Sequence, residues 1–226
     1  TTDSQIAKVA GELAPKVRRS DCVFHCSGAL TSEVLSSCRL NGADIASIHP
    51  AMTFCKALSD ISQFQCVYCG TEGDSEALER LMPAFHQIGA ETFSLIAEQK
   101  PLYHTASVMC SNYLTALTEA STKLFEQAGI ERSIATNLML PIMQATLDNI
   151  STQGTVRALT GPISRGDSQT VAAQLNSLSS SELRQLYQCL GKLTLNLARI
   201  KNNADKSQLD EIEALLDRAT VHQSTL

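Results

Sequence analysis

Apolar positions along the first 97 residues switch between two spacings. Ile6, Val9, Ala10 and Leu13 recur at helical intervals, whereas Cys22-Val-Phe-His-Cys26 is a short apolar run that ends in Ser27-Gly28 and predicts a strand. A brief helix is predicted from Thr31 to Leu40, then a strand from Ala43 to Ile48 closed by His49-Pro50. A third strand is predicted over Gln65 to Cys69, running into Gly70-Thr-Glu-Gly73. Asp74 or Ser75 then caps a helix to about Ile88, and Glu91 to Ile96 gives a fourth strand. Strands alternating with helices predict crossover connections and hence a largely parallel sheet.

From Glu98 onward the extended pattern is gone. Helices are predicted over Glu98 to Ala128, Glu131 to Ile150, Asp167 to Leu178, Ser181 to Asn202 and Gln208 to Arg218, broken at Gly129, Gly154 and Gly161-Pro162. The expected organisation is therefore an α/β domain over residues 1–97 and an all-α domain over 98–226. In the first of these helices Leu102, Ala106, Met109, Tyr113, Leu117, Ala120 and Leu124 share one face. The opposite face carries Lys100, His104, Ser107, Ser111, Thr115, Thr118 and Thr122. A solvated face usually carries Glu and Lys, so small hydroxyls imply a packed face, and a homodimer through this helix is expected.

Composition narrows the function. The 226 residues carry a net charge of −5, with 7 basic and 11 acidic residues before Glu98 and 11 and 12 from there on. Neither part offers the Lys/Arg cluster that phosphate neutralisation needs, which argues against a nucleic-acid or anionic membrane partner. No apolar run approaches the roughly 20 residues of a membrane span, and Thr1 to Gln5 lack signal-peptide character. A cytoplasmic location is expected. Of the eight cysteines, Cys66 and Cys69 have C-x-x-C spacing, but three positions apart on a strand they point to opposite faces. Cys22 and Cys26 would stand roughly 13 Å apart. Free thiols are expected rather than a metal, with a thiol or zinc protein as the rival.

Six motifs in one order carry more. His25-Cys-Ser-Gly-Ala-Leu30, Ser47-Ile-His-Pro50 with Phe54, Glu72-Gly-Asp74, Lys100-x-x-Tyr103-His104, Ser111-Asn112 and Thr160-Gly-Pro-x-x-Arg-Gly-Asp167 together resemble a family of Rossmann-like proteins with a helical C-terminal domain of unknown function. That family is related to 6-phosphogluconate dehydrogenase, ketopantoate reductase and pyrroline-5-carboxylate reductase. The resemblance implies a partial Rossmann-like parallel sheet domain followed by a helical domain like the C-terminal domain of 6-phosphogluconate dehydrogenase. It also implies NADP or NAD as cofactor and a small-molecule substrate in a cleft between the domains. Family members begin with a strand and a G-x-G-x-x-G turn, which this sequence does not contain. Thr1-Thr-Asp3 resembles the loop after the family's fourth strand, so the first nucleotide-binding half is expected to be missing.

Site expectations follow. Lys100 and His104, one helical turn apart, are the catalytic candidates, because reduction of a carbonyl or imine needs a proton donor beside the heteroatom. Their relatives place a Lys and an Asn there, and the alternative is a solvated Lys100 with a structural His104. Ser27, Gly28 and His49 end strands at the carboxyl edge, where open α/β sheets bind ligands; with Asn112 and Arg165 they are the substrate-binding candidates. Arg165 suits a carboxylate or phosphate through its planar fork. Asp3, His25 and Ser27 are the cofactor contacts that the resemblance implies. An oxidoreductase is the expected function; a non-catalytic dimeric binding or regulatory protein is the alternative.

Overall fold

A computed structural model describes residues 1–53 and 61–218. Phe54, part of the second motif, lies outside the described residues. The described residues divide into two compact units, with the division between Leu117 and Thr118.

The first unit is built on a four-stranded sheet in the order β1 (Cys22–His25), β2 (Asp44–Pro50), β3 (Tyr68–Gly73) and β4 (Glu91–Ser94). The β1/β2 and β3/β4 pairings are parallel, and the β2/β3 pairing is antiparallel. The expected parallel character therefore holds for two of three pairings, and the sheet is mixed. The reason lies in the connections. Between β2 and β3 the described residues hold only a 3-10 turn, Ile61–Phe64, and an antiparallel neighbour needs no helical crossover.

Helix α1 (Asp3–Leu13) packs Ile6 and Ala10 against Leu35, Cys38 and Ile45, joining α2 (Ser36–Leu40) and β2 in one apolar cluster. A second cluster, Ile48, Cys69 and Ala90, lies under α3 (Ser75–Gln87), whose Leu81 and Phe85 pack on it. Central β2 is buried at Ile45, Ala46, Ser47 and Ile48, as befits a strand covered on both faces. Gly73 (φ +133°) closes the edge: a Cβ there would stand 2.5 Å from the Ile45 carbonyl oxygen.

Beyond the sheet come α4 (Lys100–Cys110) and α5 (Asn112–Gln127), where one continuous helix was expected. Ser107, Ser111 and Thr115 each donate their hydroxyl to the carbonyl four residues back, a pattern that bends helices, and the bend falls at Ser111 (φ −115°, ψ −67°). The compact division falls inside α5.

Among the described residues the second unit holds the rest of α5 and then α6 (Arg132–Ala158), α7 (Gly161–Ser164), α8 (Ser168–Ser177), α9 (Ser181–Lys201) and α10 (Lys206–Asp217), joined by short linkers and without a strand. Its core is Val171, Leu175, Leu195, Ala198, Leu209, Ile212 and Leu216. Gly154, with φ 76°, interrupts α6 where the sequence predicts a break, and Asp167 caps α8 by accepting from the Thr170 amide at 3.0 Å.

Candidate functional site

Strands β1 and β2 are parallel, so Ser27 and His49 leave the sheet at the same edge, with Ser47 opposite Glu72 across the β2/β3 pairing. Helix α4 brings Lys100 to this edge. Its side chain is completely buried, and its ammonium donates to the Ser27 carbonyl at 3.2 Å and the Ser47 hydroxyl at 2.5 Å, with Glu72 Oε1 3.4 Å away. Glu72, itself buried, accepts from both the amide and the hydroxyl of Ser32 at 2.8 Å. A buried cation and a buried anion are tolerable here because each is paired and hydrogen-bonded. Burial pushes the Lys100 amine below its ordinary value, and the Glu72 carboxylate opposes that shift.

The turn after β1 is held by its own side chains. The Ser27 amide donates to Nδ1 of His25 at 3.1 Å, which makes Nδ1 an acceptor and leaves Nε2 to donate to the Thr31 carbonyl at 3.1 Å. Burial, with the nearby Lys100 charge, pushes His25 down and keeps the ring neutral, although its bond to Thr31 resists. The Ser27 hydroxyl donates to Asp3 Oδ2 at 2.7 Å and accepts from the amides of Ala29 and Leu30.

His49 and His104 close over Gly28. A Cβ on Gly28 would stand 2.5 Å from Cδ2 of His104 and 2.7 Å from Nε2 of His49, so any larger residue would have to push both rings aside. The two imidazole rings are 6.1 Å apart, and Nδ1 of His49 is hydrogen-bonded to the Tyr103 hydroxyl at 2.8 Å. Both histidines line a cavity of about 260 Å³ in the first unit, together with Ser107, Ser111 and Asn112. Among the described residues, neither ring nitrogen of His104 has a hydrogen-bond partner.

Of the residues singled out from sequence, Asp3, His25, Ser27, Gly28, His49, Lys100 and His104 thus come together, and Asn112 lies on the same cavity. Arg165 is exposed in the second unit. Lys100, a candidate proton donor, has its donors engaged inside the fold; His49, His104 and Cys110 are the ionisable side chains on the cavity among the described residues. Glu72, Ser47, Ser32 and Tyr103 complete the cluster, and sequence reasoning did not single them out as site residues. Glu72, directly after the apolar run into Cys69 and before Gly73-Asp74, was the available signal, because a carboxylate carried into a buried strand requires a buried partner.

Toward a dinucleotide, the donors of this turn do not fit a pyrophosphate. The amides of Ser27, Ala29, Leu30 and Ser32 are spent on His25, Ser27 and Glu72 rather than presented outward. Cys66 is exposed with φ 61°, whereas Cys69 is fully buried with its thiol pushed up to about 11 by burial, so the C-x-x-C pair does not present two thiolates together.

Residues 67–194, more than half of the chain, match the family described as Domain of unknown function (DUF2520). The chain belongs to this family. The crystal structure of protein TM1727 from Thermotoga maritima is 30% identical, with a TM-score of 0.74 over 89% of this chain and 77% of that one. A putative NADP oxidoreductase, BF3122 from Bacteroides fragilis, is 18% identical with a TM-score of 0.64, covering 89% and 72% of the two chains. Pyrroline carboxylate reductase from Plasmodium falciparum, solved with NADP bound, is 9% identical with a TM-score of 0.50, covering 94% and 77%. No curated protein sequence matches the chain. The DUF2520 member therefore has the fold of Rossmann-like reductases, a sheet domain followed by a helical region. Among its described residues no helix is long and apolar enough to cross a membrane.

Proposed function

We propose that this DUF2520 protein is a cytoplasmic NADP- or NAD-dependent oxidoreductase acting on a small metabolite. In this reading residues 1–97 are the rear of a dinucleotide-binding domain, and residues 98–226 form a substrate-binding and dimerisation domain. The observation that carries the reading is the convergence of His49 and His104 on a cavity at the carboxyl edge of β1 and β2, in a fold shared with reductases. Ligands of open α/β sheets bind at that edge.

The chain's own residues divide the work. His104 borders the cavity and is the catalytic candidate that holds a proton at the substrate heteroatom. Lys100 acts from behind: its buried ammonium fixes the Ser27 carbonyl and thereby the Gly28 turn against both imidazoles. Ser27, Gly28 and Asn112 shape the substrate side, Arg165 contributes an anion contact, and Asp3 and His25 hold the turn that the cofactor approaches. The pyrophosphate is held by residues other than those of the Ser27–Ser32 turn.

The test is NADPH itself. It raises the unfolding temperature of the protein and is consumed with a carbonyl or imine substrate, and His104→Ala removes the consumption while the unfolding temperature stays near that of the parent. NADPH that neither stabilises the protein nor is oxidised with any substrate in a carbonyl panel overturns the reading. A second reading, a non-catalytic dimeric binding protein, draws on the enclosure of Lys100, whose donors are all engaged. Stabilisation by a metabolite alone would favour it.

A further inference from the structure

One ring ties both ends of the turn after β1. His25 is 7% exposed; its Nδ1 accepts from the Ser27 amide at 3.1 Å, and its Nε2 donates to the Thr31 carbonyl at 3.1 Å. Because a backbone amide can only donate, this arrangement requires a neutral imidazole with its proton on Nε2. Protonation puts a second N–H on Nδ1, directed at the N–H of Ser27. Two donors cannot share that contact, and both are then left unpaired in an enclosed site. The Ser27 hydroxyl, which accepts from the amides of Ala29 and Leu30, still holds the far side of the turn. Any movement is therefore confined to the stretch from Cys26 to Gly28.

That stretch carries the contacts of the candidate site. The Ser27 carbonyl accepts from the Lys100 ammonium at 3.2 Å, and Gly28 lies against the rings of His49 and His104. We propose that His25 is a proton-operated latch: neutral, it closes the Ser27–Gly28 turn onto those two rings; protonated, it lets go of Ser27 and loosens Gly28 from them in a chain that stays folded. The regulation this gives the site rests on reading it as that of an oxidoreductase, whereas the latch itself is a property of the turn. The charged groups that face His25 are Asp3 from α1, Glu72 from β3 and Lys100 from α4. Burial is the largest influence and favours the neutral ring; the bond to Thr31 opposes it, Lys100 adds to it, and Glu72 and Asp3 oppose it. The net direction is downward, so the latch opens below the ordinary imidazole value of 6.5.

Nitrogen-15 spectra of the full chain test this with neither cofactor nor substrate present. At pH 8 the His25 ring carries its proton on Nε2 and shows a bare Nδ1. On titration to pH 5 the Ser27 and Gly28 amide signals move with the His25 midpoint. Protection of the Ser27 amide against hydrogen exchange falls roughly tenfold across it, the loss of one hydrogen bond. His25→Asn separates a latch from a plain prop, because an Asn carbonyl accepts from the amide two residues on, as in an Asx-turn, and does not titrate. In that variant both amide signals hold steady from pH 8 to pH 5. The titration of the parent stands whether or not the variant folds. Four results each overturn the proposal: a His25 proton on Nδ1 at pH 8, amide signals that ignore the His25 titration, a folded His25→Asn with the same acid response, or release that comes only with loss of the far-ultraviolet circular dichroism signal. A working latch without NADPH consumption would leave this inference standing and remove the oxidoreductase reading; consumption with an inert turn would do the reverse.

Discussion

Glu72→Ala isolates the buried ion pair. Truncation removes the carboxylate 3.4 Å from the Lys100 ammonium and orphans the amide and hydroxyl of Ser32, each of which donates to it at 2.8 Å. Lys100 would keep the Ser27 carbonyl and Ser47 hydroxyl but carry an uncompensated charge in a site with no solvent exposure. Breaking one side of such a pair costs about 3–5 kcal/mol, a large share of the ~5–15 kcal/mol by which domains are stable. Urea unfolding followed by far-ultraviolet circular dichroism measures the loss. The informative partner is Glu72→Leu combined with Lys100→Met, which removes both charges and fills the space with apolar groups. Replacing a whole buried pair is often close to neutral. The double variant should therefore recover the part of the Glu72→Ala loss that comes from the uncompensated Lys100 charge, while the Ser32 amide and hydroxyl stay without their acceptor. A Glu72→Ala variant within about 1 kcal/mol of the parent, or a double variant no more stable than it, would refute the assignment of this cluster as a coupled buried pair.

Two further outcomes follow from the same structure. Burial holds both His25 and His49 below the ordinary imidazole value of 6.5, so between those depressed values and 6.5 the unfolded chain binds more protons than the folded one. Stability should therefore fall as the pH drops below 6.5, with a lower urea midpoint at pH 5.5 than at pH 7.5; a midpoint that holds or rises on acidification contradicts this. The apolar face of α4 and α5 is exposed in the single chain, with Leu102 67%, Met109 55% and Tyr113 60% accessible. If this face is the homodimer contact, sedimentation of the parent shows a dimer and Met109→Glu shows a monomer of nearly unchanged stability; a parent that is monomeric at micromolar concentration rejects the contact.

How far the sequence could be read depended on how local each cause is. Asp167 behaves as the helix cap its position suggests, because cap and helix are neighbours in the chain. Asp74 sits at the N-terminus of α3 as expected, yet its carboxylate accepts from the Ile45 amide and from Arg39, partners that no local pattern announces. Strand β3 runs over Tyr68–Gly73 rather than Gln65–Cys69. Its polar end looked like a turn, since Glu72 is at home in a buried strand only with Lys100 beside it. Of the stripe of α4 and α5 that was expected to be a packed face, Lys100 is fully buried and Thr122 nearly so, His104, Ser107, Ser111 and Thr118 are half-buried, and Thr115 is exposed. The Ser107, Ser111 and Thr122 hydroxyls satisfy themselves on backbone carbonyls one turn back, while the apolar stripe is exposed at Leu102, Met109 and Tyr113. Meeting of His49, His104 and Gly28 depends on strand ends brought together by the sheet, so the motifs named the participants but not their contacts.

Glu72, Gly73 and Asp74 reach four separate pieces of the fold: Ser32 and Arg39 before the sheet's centre, Ile45 within it and Lys100 after it. The family match begins at residue 67, so three of those four anchors lie upstream of the recognised boundary. The matched region thus shares buried and half-buried polar contacts with residues before it. Excised at its borders, it would keep the Glu72–Lys100 pair but lose Ser32, Arg39 and Ile45, and Lys100 would lose the Ser27 and Ser47 oxygens that it donates to.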